Sequence, residues 1–289
     1  MENTFFTIII PTYNRAQFIG DCIRSVLKQQ YAQCEIIVVD DHSTDDTADI
    51  VSRYISAHGA EKIRYYRNER SKGANGARNT GILHARYDWL LFLDSDDSWQ
   101  KNKLDTYNAL LQQLDDNYHL IYDNAYIKIA NSPGNSRQYL ALLPADNFIG
   151  GFSKIGIRRD KLMEAGLLDE SLRSVQDLDI YLRIARNGDI YGIAQELTVI
   201  NKNSNIRISD NLRYKMAGQD QLIEKHRQLF NANMLSYLYI SNFNRSVRIR
   251  SVRDMCRYFL KVWIYTFKGG NGIYTYLKMK RAYIKRENN

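Results

Sequence analysis

The chain has 289 residues, 44% of them hydrophobic and 25% charged, which excludes a disordered or low-complexity chain and allows one large core or two smaller ones. Its three cysteines, Cys22, Cys34 and Cys256, show no CxxC spacing, which argues against a disulfide framework and against a thiolate metal site. The net charge of +8 is uneven: residues 213–289 carry 16 Lys+Arg against 4 Asp+Glu, whereas residues 1–212 carry 24 against 28, so the basicity belongs to the tail and lies outside the part that reads as an enzyme core.

Phe6 to Ile10 reads as a buried strand, and Phe18, Ile19, Cys22, Ile23, Val26 and Leu27 then recur at helical spacing. Glu35 to Val39 repeats the strand signal. Ser43-Thr-Asp-Asp46 resembles a capping box opening a helix that runs to about His58. A third strand is expected at Ile63 to Tyr66, a helix from Ala74 to Arg86 and a fourth strand from Trp89 to Leu93. Asp105 to Leu114 reads as helix and His119 to Ile129 as strand. Residues 131–153 read as irregular loops, with helix returning at Arg159 to Ala165 and Asp177 to Asn187. Residues 213–289 look largely helical.

Strands separated by helices at this interval predict an α/β fold with a mostly parallel, Rossmann-like sheet that binds ligands at the carboxyl ends of its strands. Pro11-Thr-Tyr-Asn14, Asp40-Asp41 and Asp94-Ser-Asp-Asp97 follow the first, second and fourth strands, so all three should meet on one rim. There is no G-x-G-x-x-G after the first strand and no G-x-x-x-x-G-K-[ST] anywhere, which removes the main support for a dinucleotide or P-loop reading. The D-x-D spacing suits a hard divalent cation that completes its shell with water and substrate phosphates. By itself it also suits a solvated turn.

The blocks TIIIPTYNR (7–15), IIVVDDHSTDDT (36–47), GANGARNTG (73–81), FLDSDD (92–97) and LLDESLRSVQDLDIYLRIARNG (167–188) resemble, in order and spacing, those of the family 2 glycosyltransferases, over roughly residues 5 to 210. The resemblance implies a GT-A fold and an inverting transferase that uses a nucleoside diphosphate sugar, most simply a UDP-sugar, with Mn²⁺ or Mg²⁺. It places Pro11 and Tyr13 against the nucleotide base and Asp41 as acceptor from the base imide. Arg78 falls near the phosphates, Asp94 and Ser95 at the ribose or sugar, and Asp96 at the metal. Asp97 corresponds to a second-layer or capping position.

The same resemblance makes Asp177 the base that removes the acceptor hydroxyl proton, in the first turn of a helix whose stripe is Leu178, Leu182 and Ala185. Two departures from the family pattern stand out: Gln176 replaces a glutamate beside this base, and the loop 200–207 (INKNSNIR) lacks the histidine of many relatives, leaving Lys202 or Arg207 as candidate phosphate partners. These departures keep open a non-catalytic nucleotide-sugar-binding relative. A nucleotidyltransferase on a similar sheet is the third reading.

The expected division is a catalytic domain over 1–211, with a nucleotide-sugar half to about residue 97 and an acceptor half beyond it, and a basic helical extension over 212–289. Arg245 to Arg286 interleaves bases with aromatics, a composition suited either to an anionic membrane surface or to a packed extension with a solvated basic face. Nucleic acid is not expected as a partner, since no nucleic-acid motif accompanies the charge. No apolar run approaches the roughly 18–20 residues of a spanning helix, and MENTFF lacks signal-peptide features. A cytoplasmic location, with a glycan or lipid-linked acceptor of bacterial surface polysaccharide, is the expectation.

Overall fold

The structure is a computed structural model, and it describes residues 3–125, 133–134, 136–143, 147–201 and 211–269. Two compact units are present: Met1–Tyr139 with Phe148–Ser171 and Gln176–Asn205, and Leu140–Asn147 with Leu172–Val175 and Ile206–Asn289.

The first unit is built on strands β1 (Phe6–Thr12), β2 (Cys34–Asp40), β3 (Ile63–Arg67) and β4 (Trp89–Phe92), alternating with helices α1 (Ala16–Leu27), α2 (Thr47–His58) and α3 (Ala74–His84). Every residue of β1 and β2 is buried, as expected for central parallel strands covered on both faces. The short β5 (Ser98–Trp99) and helix α4 (Lys103–Leu111) follow, then β6 (Tyr118–Tyr122), β7 (Pro133–Gly134), α5 (Ser136–Leu142), β8 (Ile155–Arg158), α6 (Arg159–Glu164), α7 (Gln176–Ile184), β9 (Asp189–Gly192) and β10 (Thr198–Val199). The main sheet has the order β3-β2-β1-β4-β8-β6-β9-β7. β1 to β4 are mutually parallel, and β8 lies antiparallel between β4 and β6. A separate two-stranded ribbon pairs β5 with β10.

The GT-A architecture, a mostly parallel sheet flanked by helices with a helical C-terminal region, is the one expected. Several local readings are corrected. Ser43 does not cap α2: Asp46 occupies the cap position without a side-chain bond. Asp45 does the work instead, its Oδ1 accepting from Thr47 N at 3.1 Å and its Oδ2 from Ala16 N at 3.0 Å, which ties the starts of α1 and α2 together. Part of the stretch read as loops forms α5. β8, the one strand running against the others in the middle of the sheet, has only the four residues IGIR, too few for a period to register. The far half of the strand expected to reach Ile129 lies outside the described residues, as do Lys202, Arg207 and residues 270–289.

The second unit contains α8 (Leu212–Lys225), α9 (Ala232–Arg248) and α10 (Val252–Gly269). Asn211 caps α8 by accepting from Arg213 N and Tyr214 N, and Asn231 caps α9 by accepting from Met234 N. α10 packs on α9 through Tyr239, whose ring centroid lies 6.3 Å from that of Tyr258 and 5.5 Å from that of Tyr265. Asp220 of α8 accepts from the Tyr258 hydroxyl at 2.9 Å and pairs with Arg257 at 2.8 Å. Among the described residues no helix is long and apolar enough to cross a membrane.

Candidate functional site

Because β2, β1 and β4 are adjacent and parallel, the segments after them emerge side by side. Asp41 N donates to Thr12 O at 2.8 Å, Asn14 N to Ser43 Oγ at 2.9 Å and Thr44 N to Asn14 Oδ1 at 2.8 Å. Asn14 and His42 adopt left-handed φ of 49° and 65°, which turns the chain sharply as it leaves each strand. Pro11 is buried within the sheet and Tyr13 stands 45% exposed at its end, with Lys72 Nζ 5.1 Å from the centre of its ring. An open aromatic face with a cation beside it can stack a planar base.

The two carboxylates after β2 have separate work. Asp40 accepts from Ser43 N at 2.7 Å and from the Tyr65 hydroxyl at 2.6 Å, so it shapes the turn. Asp41 is buried and accepts from Asn68 Nδ2 at 2.6 Å and from Gly73 N at 2.8 Å. It caps no helix, and each ionised oxygen keeps a further lone pair for a donor in the cleft.

After β4 the chain makes a turn closed by Asp97 N donating to Asp94 O at 2.9 Å. Its three carboxylates have distinct surroundings. Asp94 accepts from Arg78 Nη2 at 2.6 Å. Ser95 is buried. Asp97 is buried, accepting from Ser153 Oγ at 2.6 Å and Asn201 N at 3.1 Å; burial, and then the neighbouring Asp94, raise its pKa to about 6. Asp96 is half-buried and, among the described residues, its carboxylate enters no hydrogen bond or ion pair.

No group of three or more His, Cys, Asp or Glu side chains among the described residues is arranged to hold a metal ion, so there is no closed protein cage. The donor set still fits Mg²⁺ or Mn²⁺, because such ions bind through one or two carboxylates and take their remaining ligands from water and phosphate. Asp96 supplies one uncommitted hard oxygen donor of that kind.

Arg78 sits on α3, whose residues from Asn75 to Ile82 are all buried although most are polar or small. That helix is gripped by the segment before α7. Asn79 exchanges hydrogen bonds with Leu168, Asn75 Nδ2 donates to Asp169 O at 2.8 Å, and Glu170 accepts from Asn79 Nδ2, Ser71 N and Arg70 Nε. The Arg78 guanidinium lies 4.1 Å from the centre of the Phe152 ring, which is 6.4 Å from that of Tyr181 on α7.

α7 buries Leu178 and Leu182 as expected, and also Ile180, Tyr181 and Ile184, and Ala185 just past its end is buried too. Asp177 occupies its first turn and is half-buried. Burial pushes the Tyr181 phenol well above its usual pKa, the charge of Asp177 raises it further, Arg78 lowers it and Asp94 raises it. Asp179, two residues further along α7, is fully buried and paired with Arg183 at 2.7 Å.

Several organising residues were not singled out from sequence. Ser153 accepts from Asp94 N at 3.0 Å while its hydroxyl donates to Asp97, and its carbonyl accepts from Trp99 Nε1, Lys103 Nζ and Thr198 Oγ1. Lys103 and Asp123 form a fully buried ion pair beneath it. Glu170 lies inside the block LLDESL and Asn68 shortly before GANGARNTG, but their bonds depend on which loop each helix meets.

The fold is of the GT-A class, with a rim of carboxylates at the ends of adjacent parallel strands. The family model described as glycosyl transferase family 2 matches residues 7–171, and the chain belongs to that family. It is 28% identical over 246 residues to an Escherichia coli K12 protein provisionally assigned to colanic acid biosynthesis as glycosyl transferase WcaA, covering 82% of this chain and 86% of that one. It is 39% identical over 132 residues, 46% of this chain and half of the relative, to the Escherichia coli UDP-Glc:alpha-D-GlcNAc-diphosphoundecaprenol beta-1,3-glucosyltransferase WfgD. Among solved structures, the mannosyltransferase PcManGT of Pyrobaculum calidifontis in complex with GDP-Man and Mn²⁺ superposes with a TM-score of 0.64 at 16% identity, over 95% of this chain and 88% of that one. At that identity the likeness speaks for the fold alone.

Proposed function

We propose that this chain is an inverting, metal-dependent glycosyltransferase that moves a sugar from a nucleoside diphosphate donor, most simply a UDP-sugar, to a hydroxyl of a glycan or lipid-linked acceptor in bacterial surface polysaccharide synthesis. The observation that carries the reading is that the segments after β2, β1 and β4 emerge side by side, bringing Asp41, Tyr13 and the turn of Asp94 and Asp96, with Arg78 paired to Asp94, to one rim, while Asp177 occupies the first turn of α7. The named relatives in polysaccharide pathways support the acceptor class.

In this reading Pro11 and Tyr13 hold the base and Asp41 accepts from its imide. Asp94 and Ser95 contact ribose or sugar, while Arg78 fixes Asp94 and lends positive charge toward the diphosphate. Asp96 would hold Mn²⁺ or Mg²⁺, which when bound supplies Lewis-acid charge at the leaving diphosphate. Asp177 takes the acceptor proton as the hydroxyl attacks the anomeric carbon. Its place at a helix N-terminus favours the ionised form needed for that role. The site faces the cytoplasm, and the basic C-terminal region meets an anionic membrane.

Incubation with Mn²⁺ and a panel of nucleotide sugars should release nucleoside diphosphate slowly without acceptor and faster with one. Asp96→Asn should abolish both. Asp177→Asn should keep donor binding and lose transfer. Binding of UDP with no turnover on any acceptor extract would support a non-catalytic relative, the reading that Gln176 and the histidine-free loop keep in view.

A further inference from the structure

The described part of the second unit leaves one large apolar surface uncovered. On α10, Val252, Phe259, Leu260, Trp263 and Phe267 are 68%, 61%, 57%, 56% and 72% exposed. At 100° per residue they fall, with the exposed Cys256, within one arc of the helix. The opposite side carries Tyr258 and Tyr265, which pack on α9, and at one edge of the arc Phe259 also meets Phe243 of α9, with ring centroids 6.3 Å apart. Trp263 and Phe267 touch each other, with ring centroids 5.0 Å apart. The face is therefore not a core stripe that happens to be partly open: the helix already has its buried side, and this is a second apolar side.

Its border is basic. Arg253, Arg257 and Lys268 are exposed and follow the apolar arc around the helix. The helix has one acid, Asp254, and that carboxylate accepts from Ser251 Oγ at 2.6 Å at the helix start. Arg257 shares Asp220 with Lys261, whereas Arg253 enters no ion pair among the described residues.

We propose that this outward face of α10 docks on the surface of an anionic phospholipid bilayer, with Phe259, Leu260, Trp263 and Phe267 in the acyl boundary and Arg253, Arg257 and Lys268 among the lipid phosphates. Aromatic and aliphatic side chains on one arc bordered by cations are the arrangement that lies in the plane of a membrane interface. Charge complementarity selects this occupant over a second copy of the chain. A symmetric pairing of two α10 faces would bring the two sets of cations together with no exposed acid on either helix to meet them. The surface deepens the reading of a lipid-linked acceptor and rests on it for its purpose, though the contact itself needs neither donor nor acceptor.

The test is flotation of the full-length chain at low salt with vesicles of phosphatidylcholine, alone or mixed with phosphatidylglycerol. The protein should float only with the anionic vesicles and be released by high salt. Its tryptophan emission should move to shorter wavelength on binding, a change lost in Trp263→Phe. Leu260→Glu with Phe267→Glu should lower the bound fraction at least tenfold, and Arg253→Glu with Lys268→Glu should lower it and weaken its salt dependence. Both pairs lie at exposed positions, so circular dichroism and donor turnover should stay at wild-type values.

Absence of flotation at low salt, or flotation indifferent to the Leu260 and Phe267 changes, overturns the proposal. So does a concentration-dependent dimer in sedimentation velocity that the same two changes abolish, or RNA capture through this face without vesicle binding. Vesicle binding without donor turnover leaves the surface standing and removes the transferase reading. Turnover without vesicle binding does the reverse.

Discussion

Arg78 Nη2 donates to Asp94 Oδ1 at 2.6 Å, and the two side chains differ in exposure, 6% for the arginine and 37% for the carboxylate. The arginine is the buried member, its plane against Phe152 and its Nε, among the described residues, without a hydrogen-bond partner. It thus fixes Asp94 from below and leaves Asp96 as the acid of the turn free for a cation. Arg78→Ala should lower stability by about 1–3 kcal/mol and weaken donor binding, because Asp94 would then stand unpaired beside Asp97. Chemical denaturation and nucleotide titration check this, and a variant as stable as wild type would show that the pair contributes nothing to folding.

Asp96→Asn should behave in the opposite way. With no hydrogen bond or ion pair to break among the described residues, its stability should stay within about 0.5 kcal/mol of wild type. Thermal stabilisation by Mn²⁺ with UDP should disappear. A stabilisation equal to that of wild type would remove Asp96 from the cation.

Gly76 opens α3 under the loop that carries Ser71. A Cβ there would lie 1.9 Å from Ser71 O, and backbone cannot yield as a flexible side chain can. Gly76→Ala should cost about 1–3 kcal/mol as overpacking and should loosen Asp41, which the same loop holds through Asn68 and Gly73 N. Denaturation midpoints and UDP affinity should fall together; a fall in one alone would uncouple loop and carboxylate.

Glu170 predicts an acid limb. Burial by itself would raise its pKa, but hydrogen bonds from Asn79, Arg70 and Ser71 outweigh it and bring the value to about 2. A carboxylate lowered from about 4.5 contributes stability that is fully present above that value and is lost as pH falls toward 2. Glu170→Gln should therefore be less stable than wild type at neutral pH, by about 2 kcal/mol, and the difference should close as pH drops through this window. A constant difference from pH 7 to pH 3 would contradict the linkage.

Lys103 and Asp123 are both fully buried, and Lys103 also donates to Ser153 O and Thr198 Oγ1. Lys103→Met should destabilise by about 3–5 kcal/mol, since it leaves Asp123 charged and unpaired in the core. Removing both charges, with Asp123→Leu added, should recover much of the loss. A double variant as unstable as the single would locate the cost in packing rather than in the orphaned charge.

The strands that carry the rim were readable because β1 and β2 are continuous β-branched runs buried on both faces, and the helices between them keep a 3.6-residue stripe. The spacing of Ser43 and Asp46 does not decide the start of α2, because Ser and Asp three residues apart fit either a cap or a loop. Here Ser43 accepts from Asn14, a residue 29 positions away, and no local pattern encodes that. β8 escaped notice for a related reason: four residues inserted against the strand direction are placed by β4 and β6, not by their own periodicity.

By itself, the sequence determined the alternation of strand and helix, and so the rim on which Pro11, Asp41 and the Asp94–Asp97 turn meet, because side-chain periodicity and the carboxyl-end rule are local properties of the chain. It also determined the family, through five short blocks in register. Tertiary structure alone decided how the carboxylates divide, with Asp94 taken by Arg78, Asp97 by Ser153 and Asn201, and Asp96 uncommitted among the described residues. It alone decided that α10 has one aromatic side packed on α9 and another left open. Pairing and burial depend on partners far apart in sequence, and a carboxylate or a phenylalanine reads the same in the chain whichever partner the fold gives it.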